Sequence, residues 1–206
     1  MITFFVNGAS IGTMPYDFEV NECPDGTRLE VGDGWQSGHG RSWQGKMKRF
    51  VVYSDAKSAD QAAALFAATG DRLPVLLLDA TNANSYPGSG RSWMNIVGMD
   101  GEAQHVANFE TAPGFSEGAI IFDGTTRADI DITDKSIGFH YRDSWTIEML
   151  LNPAEHQATY AGLFGDHDCL GYTGMVMQQN ADNANEYLFG TVPTHCRAVV
   201  TRVCSR

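Results

Sequence analysis

Gly118-Ala-Ile-Ile-Phe-Asp-Gly124 and Ser144-Trp-Thr-Ile-Glu-Met-Leu-Leu-Asn-Pro153 are the two segments of sequence that decide the fold class. In the second segment apolar side chains fall at every other position: Trp145, Ile147, Met149 and Leu151. Period-two alternation is typical of a strand with one face on a core. Asn152-Pro153 ends this strand, because proline has no amide hydrogen to donate to a neighbour. The two segments, joined by a polar loop, predict the inner walls of a β-sandwich.

Further short strands are separated by turn-forming residues along the chain. The sequence predicts a hairpin over residues 2–13, turned at Asn7-Gly8, where both residues tolerate a type I′ turn. Other strands are predicted over 28–31, 47–53, 73–78, 158–164, 174–179, 187–189 and 197–204. One helix is predicted over 58–69, opened by a capping box of Ser58 and Gln61. Residues 79–114 are interpreted as a long polar segment, and a single helix argues against an α/β fold.

Composition limits the partners of the protein. A chain of 206 residues makes one large all-β domain or two small ones. Its net charge of −11 argues against nucleic acid as a partner, because that binding depends on clusters of Lys and Arg. No apolar run is long enough for membrane insertion, and no signal peptide is visible at the first residues.

The four cysteines do not have the CxxC spacing of a zinc site. They are Cys23, Cys169, Cys196 and Cys204. Buried or free thiols are one interpretation, and a bridge between Cys196 and Cys204 is the other.

Taken together, these segments resemble a laminin-G-like, concanavalin A-like (lectin-glucanase) domain. Residues 74–206 resemble its front half, through Leu76-Leu77-Leu78-Asp79-Ala80, Ser85-Tyr86-Pro87-Gly88-Ser89-Gly90 with Trp93, Gly118 to Gly124 and Trp145-Thr146-Ile147-Glu148. Residues 1–70 resemble its back half, through Phe4-Phe5-Val6-Asn7-Gly8, Ile11-Gly12, Val31-Gly32, Phe50-Val51-Val52-Tyr53 and the helix. The resemblance implies an all-β, two-sheet jelly-roll sandwich with one short helix, formed as a single domain by residues 1–206.

The order of the two halves is reversed relative to that family, which leaves two arrangements open. In a circular permutant, one chain closes the sandwich, the strand near Met1 lies beside or close to the strand near Cys204, and the termini approach within roughly 15 Å. In a split arrangement, residues 1–70 complete the sandwich of a neighbouring subunit.

The resemblance also implies a function and a location. It indicates a non-enzymatic structural or adhesion module on a virion or extracellular surface, such as a phage capsid decoration, fibre or tail protein. Expected partners are other virion or surface proteins, copies of the same chain and a cell-surface glycan. A glycan-binding, lectin-like module and a glycoside hydrolase are the alternative functions.

No catalytic residue is predicted. A glycoside hydrolase needs two carboxylates facing one cleft, and Glu148 stands alone on its strand between Thr146 and Leu150. Asp129 and Asp131 share a strand face, but together with Asp134 they are interpreted as a solvated edge.

Binding residues are predicted in two loops. Trp35, His39 and Trp43 lie in a glycine-rich loop, where aromatic rings could stack on sugars. No cofactor is required, but laminin-G-like domains admit Ca²⁺, for which Asp166 and Asp168 are the first candidate ligands. Asp129, Asp131 and Asp134 are the second. Tyr86 and Trp93 are interpreted as packing residues.

Overall fold

The computed structural model describes residues 2–6, 9–14, 28–33, 42–53, 56–67, 74–97, 105–131, 146–158, 161–165, 174–179, 186–192 and 198–201. Within these ranges the chain forms one helix and a series of short strands. In chain order they are β1 (Ile2–Val6), β2 (Ala9–Met14), β3 (Arg28–Val31), β4 (Gln44–Tyr53), α1 (Ala59–Ala67), β5 (Leu76–Asp79), β6 (Ser92–Met94), β7 (Val106–Phe109), β8 (Gly114–Ser116), β9 (Ala119–Asp123), β10 (Ala128–Asp131), β11 (Thr146–Pro153), β12 (Ala161–Gly165), β13 (Gly174–Gln179), β14 (Glu186–Val192) and β15 (Ala198–Thr201).

Two antiparallel sheets form the body of the protein. The larger has eight strands in the order β15-β14-β13-β12-β3-β10-β7-β6. The smaller has the order β11-β4-β9-β8, and β5 pairs with another part of β4. The hairpin β1-β2 forms a small sheet of its own. The fold class predicted from sequence, an all-β sandwich with one short helix, is confirmed for the described residues.

Aromatic side chains from both sheets fill the space between them. The rings of Phe50 on β4 and Phe164 on β12 lie 5.9 Å apart between centroids. Trp43 and Phe122 are separated by 5.8 Å. Gly32 has a φ of 86°, and a Cβ atom there would overlap the Phe122 ring. Only glycine therefore allows the chain to leave β3 so close to the aromatic core.

The sequence predicted several elements correctly. β3 and β13 have the predicted bounds, and both arms of the first hairpin are present. The capping box of α1 is confirmed, since the Ser58 amide donates to Gln61 Oε1 at 2.9 Å. The Gln61 amide in turn donates to Ser58 Oγ at 3.2 Å. The predicted turn at Asn7-Gly8 lies outside the described residues.

Three interpretations of the middle of the chain were wrong. The segment 79–114 contains β6 and β7, which belong to the larger sheet. Asp129 and Asp131 are not on a sheet edge, because β10 lies between β3 and β7. The segments 118–124 and 144–153 contain β9 and β11, which flank β4 in one sheet instead of facing each other. All three outcomes depend on which distant strands pair with each other, and local sequence patterns do not encode that pairing.

Residues 28–53 supply an interior strand to each sheet. β3 pairs with β12 and β10, and β4 pairs with β11 and β9. β2 approaches β15, with Cα atoms within 8 Å. The hairpin β1-β2 pairs with neither large sheet among the described strands, and the choice between the permutant and the split arrangement stays a prediction. Among the described residues, no helix is long and apolar enough to cross a membrane.

Candidate functional site

A row of polar side chains crosses the outer face of the larger sheet. Strand register places Ser92, Asn108, Asp129 and Glu30 side by side on β6, β7, β10 and β3. Their sequence neighbours, such as Leu29 and Ile130, are buried in the core. Because successive side chains of a strand point to opposite faces, the four polar residues point away from the core. We call this set the polar row.

Two carboxylates lie at the centre of the polar row. Glu30 on β3 and Asp129 on β10 are directly opposite each other. Both side chains are half-buried, and Oε2 of Glu30 and Oδ1 of Asp129 are shielded from solvent. Directly opposite residues have Cβ atoms about 4.5–5.5 Å apart, so the two carboxyl groups are close enough to act on one ligand. Their place on an outer face makes them candidates for a binding or catalytic role.

The two ends of the polar row differ. At one end Ser92 Oγ lies 3.5 Å from Asn108 Oδ1, and both residues are exposed. At the other end Glu30 is opposite Gly165 on β12, which brings no side chain beside the carboxylate. Hydroxyl, amide and carboxylate groups thus follow one another across four strands. They offer both donors and acceptors to a polar ligand.

Glu148 has a structural explanation. Its Oε1 lies 2.5 Å from Nη2 of Arg49, and each of the two side chains is 24% exposed to solvent. Arg49 is on the neighbouring strand β4, so the pair joins two strands of the smaller sheet. The ion pair neutralises the Glu148 carboxylate and stabilises the pairing of β11 with β4.

The glycine-rich loop 34–41 is closed at its base by two hydrogen bonds. Ser42 Oγ donates to Asp33 Oδ2 at 3.0 Å, and the Trp43 amide donates to the Gly32 carbonyl at 2.8 Å. Asp33 and Ser42 are both buried.

Trp43 does not present its ring to solvent. Its side chain is fully buried, and Nε1 donates to Gln179 Oε1 at 3.2 Å. The prediction of an exposed, sugar-stacking Trp43 was therefore wrong, since the ring fills the core above Gly45. Trp35 and His39 lie outside the described residues. Tyr86 and Trp93 are buried, as expected for packing residues.

Asp166 and Asp168 lie outside the described residues, as do Asp134 and all four cysteines. Gly165, after which the chain leaves β12, is opposite Glu30, whereas Asp33 follows the other end of β3. The described residues that precede the segments 34–41 and 166–173 therefore lie towards opposite ends of β3. Within the described residues, no group of three or more His, Cys, Asp or Glu could hold a metal ion.

The Asp123 carboxylate has a structural role in the turn that follows β9. Burial raises its pKa, but hydrogen bonds from the amides and hydroxyls of Thr125 and Thr126 outweigh that effect. They hold the pKa of Asp123 at about 2. The carboxylate thereby fixes the turn after β9.

Sequence reasoning missed the Glu30–Asp129 pair because it compared carboxylates along one strand only. A signal was present, since each residue is an acid between two apolar neighbours, as in Leu29-Glu30-Val31 and Ala128-Asp129-Ile130. This pattern predicts an outward-facing acid on a strand. That β3 pairs with β10 is visible only in the structure.

No protein-family model matches the chain, and neither a curated protein nor a solved structure is significantly similar to it. The structure shows the architecture alone, an all-β, two-sheet sandwich compatible with a jelly roll.

Proposed function

We propose that this protein is a non-enzymatic structural or adhesion module of a virion or extracellular surface, such as a phage decoration, fibre or tail component. The polar row supports the adhesive role, because it offers an outward-facing set of hydrogen-bonding groups on a broad sheet. The laminin-G-like sequence segments favour the setting on a surface.

A glycan fits the polar row better than a nucleic acid or an apolar ligand does. Neighbouring strands are about 4.8 Å apart, so four residues span roughly 14 Å, the reach of an extended oligosaccharide segment. Carboxylates accept hydrogen bonds from sugar hydroxyls, whereas Asn108 and Ser92 both donate and accept. The net charge of −11 and the two central acids repel phosphate groups.

A glycan array tests the adhesive role. Wild-type protein should be retained on a subset of neutral glycans, and Asp129→Asn and Glu30→Gln should each lose that retention. Glu117→Gln is the matched control, because Glu117 is an exposed acid on the turn after β8, in the other sheet. Equal retention of all four proteins would contradict binding at the polar row.

The carboxylate pair also favours a second candidate, a glycoside hydrolase. Retaining glycosidases place two carboxyl groups about 5–5.5 Å apart, which opposite strand positions can provide. A reducing-sugar assay with the bound glycans distinguishes the two functions. The adhesion module gives no turnover, whereas turnover that Asp129→Asn abolishes would establish the hydrolase.

A further inference from the structure

The strand β11 forms the longest outer edge of the two sheets. Within the described residues it pairs with β4 alone, and it is eight residues long. The other outer strands, β5, β6, β8 and β15, have four, three, three and four residues. Long open edges tend to pair with another chain, and proteins commonly blunt them with lysine, bulges or short length.

The edge strand β11 lacks these protective features along most of its length. The register shift between Leu150 and Leu151 places the extra residue, Lys48, on β4, so β11 stays regular. Pro153 is at the very end of the strand, and the Lys57 amide bonds to Thr146 Oγ1 at the beginning. Residues 147–152 between these two points are an uninterrupted strand.

Side-chain burial shows that the core is incompletely covered at this edge. Ile147, Met149 and Leu151 face the core but are only half-buried, whereas Phe50 and Val52 on the adjacent strand are buried. On the opposite face Leu150 is 48% exposed, and no other large hydrophobic side chain among the described residues is as open. Another strand added here would cover apolar surface on both faces.

Charge permits a second copy of this chain to approach at this edge. The protein carries −11 overall, so two copies repel each other over most of their surface. The only charged residue of β11 is Glu148, and Arg49 neutralises it. The edge is therefore a place where two copies can approach with little repulsion.

The sequence of β11 is self-complementary about Leu150. In an antiparallel pair with a two-fold axis there, Leu150 faces Leu150 of the second copy on the outer side. Glu148 faces Asn152, a hydrogen-bond donor, and Met149 faces Leu151 on the core side. A two-fold axis of this kind closes the assembly as a dimer.

We propose that β11 pairs with β11 of a second copy about a two-fold axis at Leu150, which joins the two smaller sheets into one continuous sheet. The pairing gives the proposed surface module a defined partner, itself, but it does not require the polar row. Loss of glycan binding and loss of dimerisation are therefore separate outcomes.

Sedimentation of the full chain over a range of concentrations tests the dimer. Wild-type protein should dimerise, and Leu150→Lys should be monomeric with the far-UV circular dichroism spectrum of the wild type, since the side chain is exposed and its replacement leaves the fold intact. Ala83→Lys is the matched control, because it adds the same charge at an exposed turn and should leave the dimer intact. A wild-type monomer at all concentrations, or a dimer that survives Leu150→Lys, would overturn the proposal.

Cysteine cross-linking tests the register. Leu150→Cys should form a disulfide-linked dimer under mild oxidation beyond the wild-type background, because the two cysteines face each other. Asn152→Cys should not, since its copies would lie four residues apart along the paired strands, roughly 13 Å. Equal cross-linking of the two variants would exclude an axis at Leu150.

Discussion

Trp43 Nε1 donates a hydrogen bond to Gln179 Oε1 at 3.2 Å, and this contact joins the segment before β4 to the end of β13. Neither side chain has any exposure to solvent. A buried indole N–H and a buried amide oxygen thereby satisfy each other, which avoids the cost of leaving polar atoms unpaired in a core.

Trp43→Phe should lower the free energy of unfolding by about 2–4 kcal/mol, through a cavity and the loss of the hydrogen bond to Gln179. Urea denaturation measures the change. Trp93→Phe is the matched control, because Trp93 is equally buried but its Nε1 makes no hydrogen bond among the described residues. A cost for Trp93→Phe as large as that for Trp43→Phe would show that the hydrogen bond contributes little.

Gly32→Ala should destabilise the protein more strongly than Gly90→Ala. Both glycines have positive φ, 86° and 100°, so alanine costs about 1–2 kcal/mol at either position. At Gly90 nothing lies within 4 Å of the added Cβ atom, whereas at Gly32 it would overlap Phe122. Thermal unfolding of the two variants separates backbone strain from steric overlap. Similar midpoints would mean that Phe122 moves aside without cost.

Asp123→Asn should destabilise the protein at neutral pH by on the order of 1 kcal/mol, after allowance for solvent screening of this exposed group. The pKa of Asp123 is lowered to about 2, so the contribution of its carboxylate is present above the unfolded value near 4. It is lost as the pH falls from about 4 to about 2. Urea denaturation at several pH values should show the difference between wild type and variant shrinking over that window. A difference independent of pH would contradict a charge-based role.

Arg49 and Glu148 should show a coupling energy of about 0.5–1 kcal/mol in a double-mutant cycle, because the pair is partly shielded from solvent. The variants Arg49→Met and Glu148→Gln remove one charge each while keeping an unbranched side chain at both positions. The coupling should weaken in 1 M salt, since salt screens partly exposed charges. Additive single effects at low salt would show that the 2.5 Å contact does not stabilise the sheet.

Strands with a repeated apolar face could be predicted from sequence, but isolated short strands could not. β11 was found because apolar residues occupy alternate positions at Ile147, Met149 and Leu151, and Pro153 marks its end. β6 and β7 were missed because they have only three and four residues, too few for a periodic pattern to stand out from the polar sequence around them. These two segments are strands because neighbouring strands pair with them, and their own sequences do not require it.

For the candidate site, prediction from sequence is limited even more strongly by the unknown pairing of strands. Leu29-Glu30-Val31 indicates an outward acid, but only the pairing of β3 with β10 brings it opposite Asp129. The exposure of Trp43 was misjudged for a related reason. Its glycine-rich surroundings suggested an open loop, yet a Cβ atom at Gly45 would lie 2.6 Å from the Trp43 ring, so this glycine makes room for a buried indole.

The interior position of β4 has a consequence for the way the chain folds. β4 must pair with β9 and β11, which end at Asp123 and Pro153, long after Tyr53 has been synthesised. Contacts between residues so distant in sequence form slowly, because a long loop must close before they are gained. During synthesis Met47, Phe50 and Val52 are therefore apolar strand residues without their final partners. The chain is most open to incorrect pairing, and to capture by a chaperone, between the synthesis of β4 and that of β11.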